Sequence, residues 1–137
     1  MTANKAIEII DGLRPNSYGE EDKFRWISDL DGKVKRLVFQ WNEKYIKELK
    51  AQRESGELTE EKYNELMDKT KPYAYPDDMD KELLIPTPFD DVYTLYLAAM
   101  IDFYNREYGN YNNSAMMFEE RFSEYKKAYI REHRAKE

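Results

Sequence analysis

The side chains that most often carry chemistry are scarce in this chain of 137 residues. It contains no cysteine and a single histidine, His133, close to the end of the sequence. Without cysteine the chain has no thiolate nucleophile, no thiolate metal ligand and no disulfide. A histidine that acts as a general base must be held against a partner at an anchored site. We therefore expect His133 to be a solvated residue of a terminal tail.

Carboxylates are the one abundant class of candidate ligand, with 28 Asp and Glu residues. The densest cluster comprises Asp77, Asp78 and Asp80. An EF-hand calcium loop starting at the first of these would need a glycine at its sixth position, where the chain has Glu82. The five glycines are isolated, so no phosphate-binding loop is present. We predict no catalytic, metal or cofactor site, and no enzymatic activity.

The composition restricts the remaining classes of protein. The length fits one domain with its own core, and no apolar run is long enough for a membrane span or a secretion signal. The formal net charge of −6 argues against a general nucleic-acid binder. The aromatic content of 15% argues against disorder. The twelve tyrosines are typical either of a protein interface or of a core rim.

Apolar residues recur at helical spacing along most of the chain. We predict a single all-α domain over 1–137, an irregular bundle of about five helices. Thr2 is expected to cap the first helix, and Gly12 to end it. Ser17 and Glu20 have capping-box spacing at the start of a second, long helix. Gly32 interrupts that helix and is consistent with a kink, a break or a close helix crossing.

The middle of the chain predicts a hairpin followed by a loop. Residues 44–71 have little apolar content and dense charge around a turn, as expected for an inserted helical hairpin that projects from the domain. Residues 72–88 contain four prolines and form the one long irregular stretch. This proline-bounded loop is too apolar for plain disorder. We expect ordered contact with the domain or with another chain.

Two aromatic helices are predicted to complete the bundle. Thr87 is expected to cap a long central helix that carries Pro88 in its first position and ends at Gly109. Its apolar residues, Phe103 and Tyr104 among them, cover an arc of roughly 200° and are expected to fill the core on more than one side. Either Asn112 or Asn113 would cap the last helix. That helix is predicted to fray over 130–137.

Several segments together resemble a known class of protein. They are Ala6–Asp11, Pro15–Asn16, Glu21–Lys23, Arg25–Gly32, Leu84–Pro86, Phe89–Tyr93, Tyr104–Asn105, Glu107–Tyr108 and Tyr111–Ser114. Over about two thirds of its length, the chain resembles small helical proteins encoded among the head genes of tailed phages and prophages of Firmicutes. These are similar to the head–tail connector class, also called adaptor or head-completion proteins. The segment 44–75 lies outside the resemblance.

The resemblance implies a structural virion protein that is assembled in the bacterial cytoplasm. Its subunits would form a ring beneath the portal and contact one another, the portal and other head–tail proteins. DNA would pass through the ring only as cargo, and no membrane or cofactor would be involved. An acidic chain is compatible with that role, since carboxylates do not grip phosphates.

Two hypotheses follow for the protein's function. In the first it is a connector subunit whose interface comprises Tyr73, Tyr75, Leu83, Leu84 and Ile85, the apolar residues of the proline-bounded loop. In the second it is a phage or prophage regulatory module that binds one protein through a tyrosine-rich helical surface. The first predicts a virion component, and the second predicts a protein found outside the virion.

Overall fold

A computed structural model describes residues 1–134 and confirms the all-α prediction. The described residues contain no strand, only an isolated bridge between Thr2 and Glu82. The six α-helices are α1 (Ala3–Leu13), α2 (Glu20–Lys33), α3 (Glu43–Ser55), α4 (Glu60–Lys69), α5 (Val92–Tyr104) and α6 (Tyr108–Arg134), and a π-helical segment (Val34–Val38) continues α2.

Helix α5 lies at the centre of the core. Helices α1, α2 and α6 all pack on it, and we call these four helices the body. Helix α6 runs antiparallel to α5, so that Tyr125 lies beside Phe89 and Phe118 lies beside Tyr96. The fully buried residues include Ile27, Leu30, Ile85, Tyr93, Leu97 and Ile101.

Helix α2 starts at a different residue from the one predicted, and it is shorter than the long helix that the sequence predicted. Gly19, rather than Ser17, occupies the N-cap position, without a side-chain cap. The helix widens after Lys33, where the amide of Phe39 donates to the carbonyl of Val34. It then ends, and a new helix begins after the Asn42 cap. The apolar period runs across this break, which is why the sequence pattern does not reveal it.

Gly32 is not a point of close helix crossing. A methyl group added at this position would meet only the guanidinium of Arg36, at 3.6 Å. The glycine lies inside α2, just before the π-helical segment begins at Val34. The interruption of the helix therefore falls after Gly32 rather than at it.

The predicted hairpin is present as α3 and α4. Asn42 and Thr59 cap the two helices through their side chains. The two helices pack on each other, and neither packs extensively on another helix. Leu49 and Tyr63 are buried but do not belong to the main core cluster. The hairpin therefore has a small core of its own.

The boundaries of the last two helices differ from the prediction. Thr87 and Pro88 belong to a turn, and α5 starts at Val92 after an Asp91 N-cap that makes no side-chain bond. Helix α5 ends at Tyr104, where Arg106 takes a left-handed φ of 60°. Gly109 then lies inside α6.

The cap and the end of α6 also differ from the prediction. Neither Asn112 nor Asn113 caps this helix, because it begins at Tyr108. It continues past the expected fraying point to Arg134. The remainder of the predicted frayed segment lies outside the described residues.

Candidate functional site

The structure divides the five residues of the hypothesised interface. Leu83 and Ile85 are buried in the chain's own core. Tyr73 and Leu84 are half-buried against that core. Tyr75 is exposed, and its hydroxyl donates to Glu20 over 2.9 Å. The proline-bounded loop is thus mainly a cover for the core, and Leu83 and Ile85 are not free to meet a neighbouring subunit.

The loop is anchored by a buried carboxylate, Asp31, which the sequence did not single out. Its oxygens accept hydrogen bonds from the hydroxyls of Tyr73 and Tyr93 and, over 3.2 Å, from the amide of Leu84. The Tyr93 hydroxyl in turn accepts from the amide of Ile85 over 2.9 Å. One aspartate therefore joins α2, α5 and the loop. We call these groups the Asp31 network.

Burial sets the ionisation of the Asp31 network. Desolvation raises the pKa of Asp31, and the hydrogen bonds from Tyr73 and Tyr93 offset only part of that effect. Desolvation and the nearby Asp31 carboxylate raise the pKa of both tyrosines. Lys35 lies close enough to attract Asp31, and burial lowers the pKa of this lysine.

Perturbed groups of this kind often mark active sites, but the Asp31 network has the geometry of a structural anchor. Asp31 is fully buried, and it lines neither of the two clefts described below. Each of its partners is a core or loop group that it holds in place. Within 1–134 every buried side-chain nitrogen and oxygen has a hydrogen-bond partner. The network therefore fixes the loop over the core.

A second buried carboxylate, Asp102, joins α1 to α5 and α6. It accepts from the Ser114 hydroxyl over 2.6 Å and pairs with the Arg14 guanidinium at 3.2 Å. The same guanidinium also reaches the Ser114 oxygen, at 3.2 Å. This cluster holds the end of α1 against the turn between α5 and α6.

Beside that turn lies a group of five aromatic rings, two of them exposed, which we call the aromatic end. It comprises Tyr18, Trp26, Phe103, Tyr104 and Tyr111, linked by ring contacts of 5.3–6.2 Å. The Trp26 ring is buried and lies flat on Tyr104, at 5.4 Å and 6°. Phe103 and Tyr104 are 45% and 50% exposed.

The prediction that Phe103 and Tyr104 fill the core is therefore wrong. The sequence signal was the width of the apolar arc on α5, which exceeds what one neighbouring helix covers. Helices α1, α2 and α6 cover most of the arc. In the last turn of α5, Tyr104 contacts Trp26 of α2 and Phe103 contacts Tyr111 of α6, but about half of each side chain remains in solvent.

An apolar cleft of about 400 Å³ lies between the proline-bounded loop and α6. Phe39, Leu84, Phe89, Tyr125 and Tyr129 contribute to its walls. Leu84 is the one member of the hypothesised interface among its lining residues. Burial raises the pKa of Tyr125 to about 12. This cleft is a second exposed apolar surface.

His133 closes one side of this cleft. Its ring stacks on Tyr129 at 3.8 Å, and its Nδ1 lies 2.9 Å from the Tyr129 carbonyl. The residue is exposed, as predicted, but it belongs to a helix rather than to a tail. Within 1–134 no group of three or more His, Asp or Glu side chains is placed to hold a metal ion.

Comparison of the chain with family models, curated proteins and solved structures gives no match. Among the described residues, no helix combines the length and the apolar character needed to cross a membrane.

Proposed function

We propose that this chain is a non-enzymatic structural protein that works by contact with other protein chains. The observation that carries the proposal is the aromatic end. Contiguous exposed apolar surface on a small protein marks interaction sites, and aromatic residues are enriched in the cores of protein interfaces. Here exposed Tyr104 stacks on the buried Trp26 ring, and exposed Phe103 contacts Tyr104 edge-on.

The rigidity of the aromatic end supports the same proposal. Asp102 directly precedes Phe103 in α5, and its bonds with Arg14 and Ser114 join α5 to α6 and to the residue that follows α1. A surface that is ordered before binding loses less conformational entropy when a partner docks. The aromatic end thus combines exposure with preorganisation.

Within this class we propose a head–tail connector subunit of a tailed phage, found in the virion. The support is the resemblance of the segments around α1, α2 and α5. The subunit would join a ring beneath the portal, with the aromatic end facing the portal or a neighbouring subunit. Tyr73 is bound in the Asp31 network, and Leu83 and Ile85 are buried in the core. We therefore propose the aromatic end, rather than the proline-bounded loop, as the contact surface.

Mass measurement in solution, with and without portal protein, tests the connector role. The expected result is a complex of several copies that forms at least in the presence of the portal. A chain that stays monomeric and never joins a portal complex would overturn the proposal. Mass spectrometry of purified virions gives an independent test, because a connector is retained in the particle.

A regulatory module is the second candidate, and the apolar cleft beside α6 favours it. A cleft of about 400 Å³ lined by Phe39, Leu84 and Tyr129 is large enough for one or two side chains of a bound peptide. Pull-down from infected cells that returned a regulator and no virion protein would favour this candidate. The absence of the chain from purified virions would agree with it.

A further inference from the structure

A basic cleft of about 830 Å³ separates the base of the hairpin from the body. Helix α2 and the π-helical segment form one wall, and the start of α3 forms the other. Its cationic lining residues are Lys33, Lys35, Arg36, Lys47 and Lys50, against the two carboxylates Asp29 and Glu43. This excess of positive charge stands out in a chain whose formal net charge is −6.

Two of the five cations are already engaged. The Lys35 side chain is buried, and its Nζ donates to the carbonyl of Lys71 over 2.8 Å. Lys47 pairs with Glu43 at 3.8 Å. Neither is a free donor at the surface of the cleft.

The other three cations have no anionic partner. Lys33, Arg36 and Lys50 are exposed, and none forms an ion pair with another described residue. Asp29 forms no ion pair with them either. Like charges that share one concave surface repel each other and raise the local positive potential. The cleft therefore attracts an anion with more than one negative charge.

The arrangement of the walls suits an extended anion. Lys33, the last residue of α2, and Arg36 of the π-helical segment both line one wall. Lys47 and Lys50 are three residues apart on α3 and line the other wall. The first turn of α3 also borders the cleft. Asn42 caps the amide of Tyr45 in this turn, and the positive end of the helix dipole favours negative charge there. Positive groups on two sides match an anion whose charge is spread over several groups.

Aromatic and apolar side chains complete the lining. Trp41, Ile46 and Tyr96 border the cleft beside its cations, and the ammonium of Lys33 lies 6.0 Å from the centre of the Tyr96 ring. Clefts of this volume accommodate small-molecule ligands and cofactors. A flat apolar surface next to cations suits a ligand that carries a ring as well as phosphates.

We infer that this basic cleft binds a ligand that carries a di- or triphosphate group. The ligand is either a nucleoside di- or triphosphate or inorganic polyphosphate, which share that group. Lys33 and Arg36 from one wall and Lys50 from the other contact the phosphate oxygens. This site is separate from the aromatic end and does not depend on the proposed structural role.

Calorimetric titration of the full chain with tripolyphosphate and with ATP, at low ionic strength, tests this inference. Saturable binding of one ligand per chain is expected. Because charge-assisted contacts are lost, Lys33→Gln/Arg36→Gln should weaken binding about tenfold or more. The double variant Lys127→Gln/Arg131→Gln removes the same charge from exposed positions on α6 and should change the affinity less than about twofold.

Comparison of the two probes identifies the ligand. If ATP binds more tightly than tripolyphosphate and Trp41→Phe abolishes that difference in affinity, the ligand is a nucleotide. Equal affinity for both probes supports polyphosphate. Lys50 lines the opposite wall of the cleft, so Lys50→Gln should also weaken binding. Because this substitution leaves α2 unchanged, weaker binding in this variant cannot be caused by a folding defect in α2.

Three results would overturn the inference. The first is the absence of saturable binding for both probes. The second is an equal loss of affinity in the α2 and α6 double variants, which would indicate screening by net charge. The third is tight binding of a glutamate-rich peptide that tripolyphosphate does not displace, because the cleft would then be a protein-docking surface.

Discussion

Asp31 determines how the proline-bounded loop is held. Its carboxylate accepts three hydrogen bonds in the core, two of them from tyrosines on different elements. Burying a charged group costs several kcal/mol unless hydrogen bonds compensate. The raised pKa of Asp31 indicates that compensation is incomplete and that the folded chain holds this proton more tightly than the unfolded chain does.

We predict that Asp31 makes the folded protein less stable as pH rises. The unfolded chain releases this proton near pH 3.9, but the folded chain retains it to higher pH. The free energy of unfolding therefore falls from that pH up to the folded pKa. Asp31→Asn does not titrate, so its destabilisation relative to wild type should shrink as pH rises.

Urea unfolding of both proteins at a series of pH values measures this trend. Exposed Asp29 lies on the same helix, so Asp29→Asn controls for the loss of one negative charge. A destabilisation by Asp31→Asn that grows with pH would contradict the prediction, because it would require a depressed pKa.

Tyr93 should be essential for its hydroxyl as well as for its ring. Tyr93→Phe leaves the Ile85 amide without its acceptor and Asp31 without one of its donors. We expect a loss of about 1–3 kcal/mol in the free energy of unfolding. Tyr96→Phe is the matched control on the same helix, because the Tyr96 hydroxyl makes no hydrogen bond to a described residue. Equal losses for the two variants would refute a specific role of the Tyr93 hydroxyl.

The Asp31 network could not be predicted from the sequence. Tyr73 and Tyr93 are 42 and 62 residues away from Asp31 along the chain. Helical periodicity reports only neighbours three or four residues apart. Judged only by these near neighbours in the sequence, Asp31 is one of several acidic residues in its helix. The buried position becomes evident only when α5 and the loop are packed on α2.

At the scale of elements, capping residues in the sequence predicted a helix end correctly where a local side-chain hydrogen bond controls it. The side chains of Thr2 and Thr59 cap α1 and α4 as ordinary N-caps. The signals at Thr87 and Gly109 misled, since tertiary packing places the ends of α5 at Val92 and Tyr104 instead. The expected caps of α2 and α6 were also wrong, so capping residues predicted the start of α1 but not the starts of α2, α5 and α6.

The hairpin should unfold separately from the body. Leu49 and Tyr63 form its buried centre, and the Arg53 guanidinium lies 4.2 Å from the centre of the Tyr63 ring. Leu49→Ala should remove hydrogen-exchange protection across α3 and α4 and leave protection in α5 nearly unchanged. The local cost is about 2–5 kcal/mol, as for other buried leucines.

Leu97→Ala provides the matched control, because Leu97 is fully buried in the main core. It should lower the protection of every helix in the body. If Leu49→Ala also lowered protection throughout α5 and α6, the hairpin and the body would form a single cooperative unit. That result would contradict the independence of the hairpin.

At the scale of the whole molecule, the surfaces differ in chemical character. The aromatic end is apolar, and the cleft beside the hairpin is basic, although the chain is acidic overall. The tyrosine count was typical either of a protein interface or of a core rim. It could not show that Phe103 and Tyr104 are exposed, because they have the same helical spacing as core residues.

We predict that the aromatic end carries the affinity for other subunits. Phe103→Ser/Tyr104→Ser removes the two exposed rings of the aromatic end. It should weaken assembly with the portal or with further copies at least about tenfold, since exposed aromatic residues commonly supply interface hot spots. Leu37→Ser/Ile130→Ser is the matched control, because both residues are exposed and apolar but lie elsewhere. Sedimentation velocity measures assembly, and thermal unfolding confirms that all variants fold. Equal effects from the two pairs would count against the aromatic end.

The turn between α3 and α4 offers a site for attaching probes. Gly56 has a left-handed φ of 82°, a side chain there would meet nothing within 4 Å, and the neighbouring Ser55 is exposed. The chain has no cysteine, so Ser55→Cys would introduce its sole thiol. A fluorophore on that thiol would sit on an element with its own small core, away from the aromatic end. Energy transfer between labelled copies would then report the spacing of subunits in an assembled particle.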